Sequence, residues 1–321
     1  MALPTVKATP PAAAKPPKAR GRRVRRLTPR DRLVLGLMLG IPSLLHIALV
    51  WGPTLASFAL SFTSWDGIGG LDTIKWIGLD NYEQIFTIYP PFWPAVQNNI
   101  IWLVFLLLVP TTFGLFLAVL LDKELRFSRI YQSAIFTPVV LALVVVGFIW
   151  QLVYSPENGL INNIIGRTGQ PGDGPLIDWL GDPDINLWAV MVAAAWRHTG
   201  YIMILYLAGL KSVDPQLKEA AAIDGANEWQ AFRSVVFPAL RPVNIVVMAV
   251  TVIEALRAFD IVYVINKGRN GLELISVLVY NNVAGETSRI GYGSALAVLL
   301  LITSLGFIVT YMWQVFREEK L

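Results

Sequence analysis

The chain has 321 residues, 55% of them hydrophobic and 15% charged, with a net charge of +4 and a mean hydropathy of +0.56. That balance is too apolar for an ordinary water-soluble domain and marks an integral membrane protein. No cysteine is present, which excludes disulfides, a thiolate nucleophile and a cysteine metal site, and the two histidines, His46 and His198, are too few and too far apart for a multi-histidine zinc site.

Residues 1–32 open Pro/Ala-rich and turn strongly basic in GRRVRR. The apolar run that follows is too long for a secretory signal and lacks a small-residue cleavage site, so the segment is expected to be a retained, disordered cytoplasmic tail. Its charges serve either to attach it to anionic membrane lipid or only to set topology. No aromatic platform is interleaved with them, so nucleic acid is not an expected partner.

Six segments are long enough for a helix to cross a hydrocarbon layer, which takes roughly 20 apolar residues. They run Leu33–Ser61, Ala95–Leu121, Ile130–Tyr154, Ile185–Leu210, Pro242–Asn266 and Gly291–Phe316. The expected fold is therefore all-α and polytopic, with a six-helix membrane domain over residues 33–316 and a short cytoplasmic tail at 317–321. Ten Lys and Arg precede the first span, three lie in Asp122–Arg129, four in Lys211–Arg241 and two after Phe316, against one, one and three in the alternate loops. The positive-inside rule thus places both termini and the 211–241 loop in the cytoplasm.

That loop contains EAAAIDGANEWQAFRSVVFPALRP, residues 219–242. Asp214 is positioned as an N-cap with Pro215 at the first helical position, and Gly225 as the stop of the helix that follows. A second helical stretch, Asn227 to Val236, carries Trp229, Phe232 and Val236 as one apolar stripe. Pro238 and Pro242 mark the return to the membrane. Composition alone leaves two roles open for this hairpin, lying against its own bundle or docking a partner.

Glu219-Ala220-Ala221, three residues, Gly225, nine residues and Val235-Val236-Phe237-Pro238 resemble the EAA loop of binding-protein-dependent ABC importer permeases. Val235 and Phe237 replace the commoner Ile and Leu. LAGLKSVDPQLKEAAAIDGA, FDIVYVINKGRNG, GYGSALAVLL and WIGLDNYEQIF extend the resemblance from Leu33 to Arg317, towards the carbohydrate-uptake branch, maltose and glycerol-phosphate type. Within it the chain looks most like the first, maltose-F-like, of two paired permeases. The resemblance implies a type I importer permease of the prokaryotic plasma membrane that forms half of a pore for an oligosaccharide or related polyol. It also implies its partners: a second permease subunit, a cytoplasmic ATPase dimer and an extracytoplasmic solute-binding protein. ATP would be bound by the ATPase, and the chain itself lacks the phosphate-cradling GxxxxGK[ST] pattern and needs no cofactor. Glu219, Ala220, Ala221, Asp224, Gly225 and Pro238 are the implied coupling residues, with Glu219 facing a basic residue of the ATPase.

Charged groups at membrane depth normally face a bundle interior or a wet cavity. Arg197 and His198 interrupt the fourth span, and Glu254, Arg257 and Asp260 the fifth at steps of three. At about 1.5 Å per residue, Arg197 and Glu254 each lie about 18 Å from opposite ends of antiparallel spans, which predicts a pair at mid-membrane. An intrahelical ladder of Glu254, Arg257 and Asp260 is the alternative. With Tyr201, an aromatic surface one turn from Arg197, these residues are the candidate substrate lining. Two rival functions stand beside the importer. One is an ion-coupled secondary transporter, for which no internal repeat is visible; the other is a membrane enzyme built on His198 and Glu254, for which no nucleophile motif is visible.

Overall fold

The computed structural model describes residues 28–123, 125–170, 172–285 and 288–318. The basic tail over residues 1–27 and the last three residues lie outside them. Two compact units divide at Pro53/Thr54. In the first, Thr28 caps the opening helix: its hydroxyl accepts from Asp31 N–H, and the Asp31 carboxylate accepts from Thr28 N–H. Helix α1, Pro29–Leu60, therefore starts before Leu33. Ile47–Trp51 widens into a π turn in which Gly52 N–H reaches the Ile47 carbonyl, directly before Pro53, which has no N–H to offer.

The second unit holds α2 (Asp80–Thr87), α3 (Phe92–Asp122), α4 (Ser128–Val140), α5 (Leu143–Val153) and α6 (Asn186–Ser212). After them come α7 (Pro215–Ile223), α8 (Glu228–Ala231, continued by a π turn Phe232–Val236), α9 (Arg241–Leu256), α10 (Asp260–Asn266), α11 (Ile275–Val283) and α12 (Ile290–Glu318). Among the described residues four helices are long and apolar enough to cross a membrane, α1, α3, α6 and α12, and five if α4 and α5 are one span. The chain is an all-helical polytopic membrane protein.

Two of the six expected spans are not continuous helices. The third bends by 101° between α4 and α5, because Leu141 and Ala142 are both extended, with ψ of 139° and 140°. Two extended residues cancel the i to i−4 bonds across the joint. The fifth stops at Leu256 and restarts at Asp260, leaving α9 with 16 residues.

Packing centres on α3 against α6. A Cβ on Gly114 would lie 2.8 Å from Ile202 Cβ and 3.1 Å from the Met203 backbone nitrogen, so the missing side chain lets the two backbones approach. Ala118, Leu121, Ile202, Met203, Tyr206, Leu207 and Leu240 form the core nearer the 211–241 loop, and Trp102, Leu106, Val146, Val190, Met191 and Val262 the core nearer the other end. The loops at the end away from residues 211–241 are tied down by amides. Asn98 donates to the Gly271 and Glu273 carbonyls, Asn99 accepts from Ile275 N–H, and Asn81 donates to Ser61 and Thr63. Asn282 is buried and donates to Tyr89 Oη.

Gly114→Leu should separate α3 from α6 and destabilise the protein by about 1–3 kcal/mol. Gly306→Ala, which meets nothing within 4 Å, should be neutral. Thermal unfolding in detergent, followed by retention of monodisperse protein, checks both.

Candidate functional site

The 211–241 loop is built as its residues dictate. The Asp214 carboxylate accepts from Gln216 N–H at 2.9 Å, and Pro215 opens α7. Gly225 has φ of +82°, with Gly225 N–H on the Ala222 carbonyl and Ala226 N–H on the Ala221 carbonyl. This is a Schellman cap, and it needs the left-handed glycine. Asn227 and Gln230 then form a reciprocal capping box that starts α8.

Glu219, Ala220, Asp224, Gly225 and Pro238 are exposed, while Ala221 turns inward and is buried. The second helix differs from the expected α-helix over Asn227–Val236: only Glu228–Ala231 is α, and Phe232–Val236 is a π turn. Pro238, just beyond, cannot donate and so favours the wider turn. The stripe is graded as a result. Val236 is buried, Phe232 half-buried, and Trp229 remains 67% exposed and stacks on Phe232 at 6.0 Å.

Two ion pairs missed by the sequence reading join this hairpin to the end of α3. Lys218 Nζ lies 3.0 Å from Asp122 Oδ2, and Lys123 Nζ lies 2.6 Å from Glu228 Oε2. Their partners are about a hundred residues apart in sequence, so no spacing rule reveals them. The Lys123 ammonium, by its hydrogen bond and then its charge, holds the Glu228 carboxyl below the usual glutamate range. A depressed carboxyl contributes above its unfolded pKa and stops contributing as pH falls through the folded value, so this pair is intact at neutral pH.

Between α6 and α9 the expected Arg197–Glu254 ion pair is present. Arg197 Nη1 lies 3.1 Å from Glu254 Oε1, with the side chains 24% and 42% exposed. His198 Nε2 and Thr251 Oγ1 share a 3.0 Å hydrogen bond beside it. Arg197 Nε is buried without a protein partner among the described residues. A cavity of about 110 Å³ on one side is lined by Arg197, His198, Glu254, Arg257, Phe259 and Asp260. A second, of about 210 Å³, is lined by Val139, Arg197, His198, Tyr201, Val250 and Glu254.

All six candidate lining residues therefore border one of these two spaces. The ladder alternative is not formed: among the described residues no ion pair joins Glu254, Arg257 and Asp260. The break before Asp260 removes the helical spacing a ladder needs, and Glu254 crosses to Arg197 instead. Sequence reasoning missed Phe259, Tyr263 and Tyr280, whose rings meet at 5.1, 5.3 and 4.6 Å beside the break. It also missed Thr251, whose position one turn before Glu254 was the available signal.

Residues 111–318, from the middle of α3 to the end of α12, match the family model described as "Binding-protein-dependent transport system inner membrane component". The chain belongs to that family. It is a multi-pass inner-membrane permease subunit of an ABC transporter and non-catalytic, ATP hydrolysis residing in a separate subunit. The permease is 34% identical over 287 residues to the xylose/arabinose import permease protein XacH of Haloferax volcanii, covering 88% of each chain. It is 29% identical over 282 residues to the trehalose/maltose transport permease MalF of Thermococcus litoralis, covering 87% of this chain and 92% of that one. Its fold is shared with a crystallised bacterial ABC transporter that imports alginate: TM-score 0.76 at 21% identity, over 90% of this permease and 96% of that chain. Membership removes the secondary-transporter reading and the membrane-enzyme reading built on His198 and Glu254.

Arg197→Ala should leave Glu254 without its partner and cost about 1 kcal/mol of stability, a figure kept low because Glu254 is substantially exposed. Exchanging the two charges, R197E with E254R, should recover part of that loss. Melting in detergent of the singles and the double, treated as a mutant cycle, measures the coupling.

Proposed function

We propose that this permease forms half of the translocation pore of a carbohydrate importer and is driven through its EAA loop by a cytoplasmic ATPase dimer. The other half of the pore is a second, related permease, and an extracytoplasmic solute-binding protein delivers the substrate. The bent pair α4 and α5 serves as the third crossing, and α9 with α10 as the fifth, which gives six crossings with both termini and the loop in the cytoplasm, as the Lys and Arg distribution requires. Membrane-embedded broken helices are tolerated where they line a cavity, and the fifth crossing breaks beside the space bordered by Arg197 and Glu254.

The observation that carries the reading is the exposed, Schellman-capped α7. It presents Glu219, Ala220, Asp224 and Gly225 outward while Ala221 and Val236 anchor the hairpin on the bundle. The same helix leaves Ile223 87% exposed, apolar surface that a partner would cover, and an ATPase cleft with a basic residue would take the Glu219 carboxylate in a charge-assisted contact. Closure of the ATPase dimer then moves the hairpin as a rigid body and switches the pore between inward- and outward-facing states.

For the substrate, the importing relatives are named for pentoses, for trehalose and maltose, and for lactose. Arg197 Nε is a buried donor able to meet a sugar hydroxyl, Glu254, Arg257 and Asp260 offer further polar contacts, and Tyr201 supplies an aromatic face. The sugar class is the proposal; an individual sugar is not assigned.

Uptake of radiolabelled sugars by cells carrying the whole transporter should be abolished by deleting the ATPase gene, and by vanadate in reconstituted vesicles. Glu219→Ala should reduce co-purification of the ATPase. Gly225→Val, strained at φ of +82°, should leave the protein in the membrane but lower the sugar moved per ATP about tenfold, a cost of about 1.4 kcal/mol in coupling. Uptake that persists without the ATPase would overturn the reading.

A further inference from the structure

Adjacent residues at the end of α3 grip both halves of the loop, and they do so with opposite charges. Asp122, the last residue of α3, holds Lys218 on α7; Lys123, the next residue, holds Glu228 at the start of α8. Between the contacts lies a groove of about 710 Å³, lined by Leu115, Phe116 and Val119 of α3 and by Ala222, Trp229 and Phe232 of the hairpin. An apolar groove of that size is tolerant of sliding, since hydrophobic contact is non-directional. Buried Ala221 and Val236 seat the hairpin on the bundle, and the charges at the rim of the groove add a preference for one alignment along α3.

We propose that the crossed pairs Asp122–Lys218 and Lys123–Glu228 are a register clip that fixes the alignment of the coupling hairpin on α3, so that force applied to α7 reaches the pore. This rests on the lever reading above. The clip does not act by strength. Lys123 and Glu228 are 53% and 86% exposed, and exposed pairs contribute little each. It acts by sign: a hairpin displaced by one residue along α3 would set Asp122 against Glu228, or Lys123 against Lys218, and like charges oppose the shift. Arg126, Arg129 and Lys211, the other described basic residues near this end of α3, have no carboxylate partner among the described residues and do not substitute for either contact.

The chain has no cysteine, so Ala194→Cys in the cavity wall is a unique reporter for a water-soluble maleimide in the transporter assembled with its second permease and ATPase. The assembled reporter should change its labelling rate when ATP and vanadate are added. Lys123→Glu should keep the ATPase bound and hydrolysing but shrink that change about three- to fivefold, and Lys218→Glu should do the same through the other contact.

The restoring variants separate alignment from mere attraction. In K123E/E228K both pairs attract, but both acids now sit on α3 and both bases on the hairpin, so a slid register meets no repulsion; restoration should be partial. The fourfold inversion D122K/K123E/K218E/E228K regains the crossed pattern and should restore the change to within about twofold of the parent. Equal restoration by the two variants, or a full labelling change in both single variants, overturns the clip. A parent complex that hydrolyses ATP without any labelling change overturns the lever itself, a failure seen before any clip residue is altered.

Discussion

Inside hydrocarbon a peptide carbonyl has no water to turn to, and at three places where this permease interrupts or ends a helix a side chain closes the gap. Pro110 offers no N–H to the Leu106 carbonyl, and the hydroxyl of the next residue, Thr111, donates to it at 2.9 Å. At the break after Leu256, Ser276 Oγ donates to the Ala258 carbonyl. At the far end of α10, Gln151 Nε2 donates to both Val264 and Ile265 carbonyls at 2.8 Å. These repairs come from α11 and α5, elements distant in sequence. The broken fifth segment thereby keeps these carbonyls satisfied, and it brings Phe259 and Asp260 to a cavity wall where a continuous helix would offer only a stripe.

The same accounting explains what was legible in the sequence. The starts and ends of the long helices were readable, because about 20 consecutive apolar residues admit few structures in a membrane. The 101° bend at Leu141–Ala142 was not, since it falls within LALVVV, an unbroken apolar run in which hydropathy carries no mark of direction. Helix α11 was hidden for the opposite reason. It follows Gly268 and Gly271 and itself contains Asn281 and Asn282, turn-prone residues, and what makes it a helix is burial of Val277 and Leu278 together with the amide grip of Asn98 and Asn99 on its entry.

The 211–241 loop was the most legible part, because its structure is written in local chemistry: an Asp-Pro cap, a glycine stop and an Asn/Gln box each act within a few residues. Its attachments were illegible. Asp122, Lys123, Lys218 and Glu228 looked like ordinary solvated charges, and only the approach of α3 to the hairpin joins them. The Arg197–Glu254 pair could be read from depth alone, because a bilayer penalises unmatched charge and converts residue number into height.

Those two charged regions are linked by stiff connections. Helix α6 carries Arg197 and runs on without interruption to Ser212, about 22 Å away at 1.5 Å per residue, where the Asp214 cap begins the loop. From the loop's other end, α9 runs from Arg241 to Glu254 over about 20 Å. The hairpin is therefore the joint between two antiparallel rods whose far portions hold the two halves of one ion pair. Moving both rods together leaves the Arg197–Glu254 contact of 3.1 Å intact. Shearing one past the other would load that contact, which lies between the two spaces that Arg197, His198 and Glu254 border on both sides. Any displacement of the hairpin that is not shared by both rods must therefore be taken up at this contact, the one ion pair between α6 and α9 among the described residues.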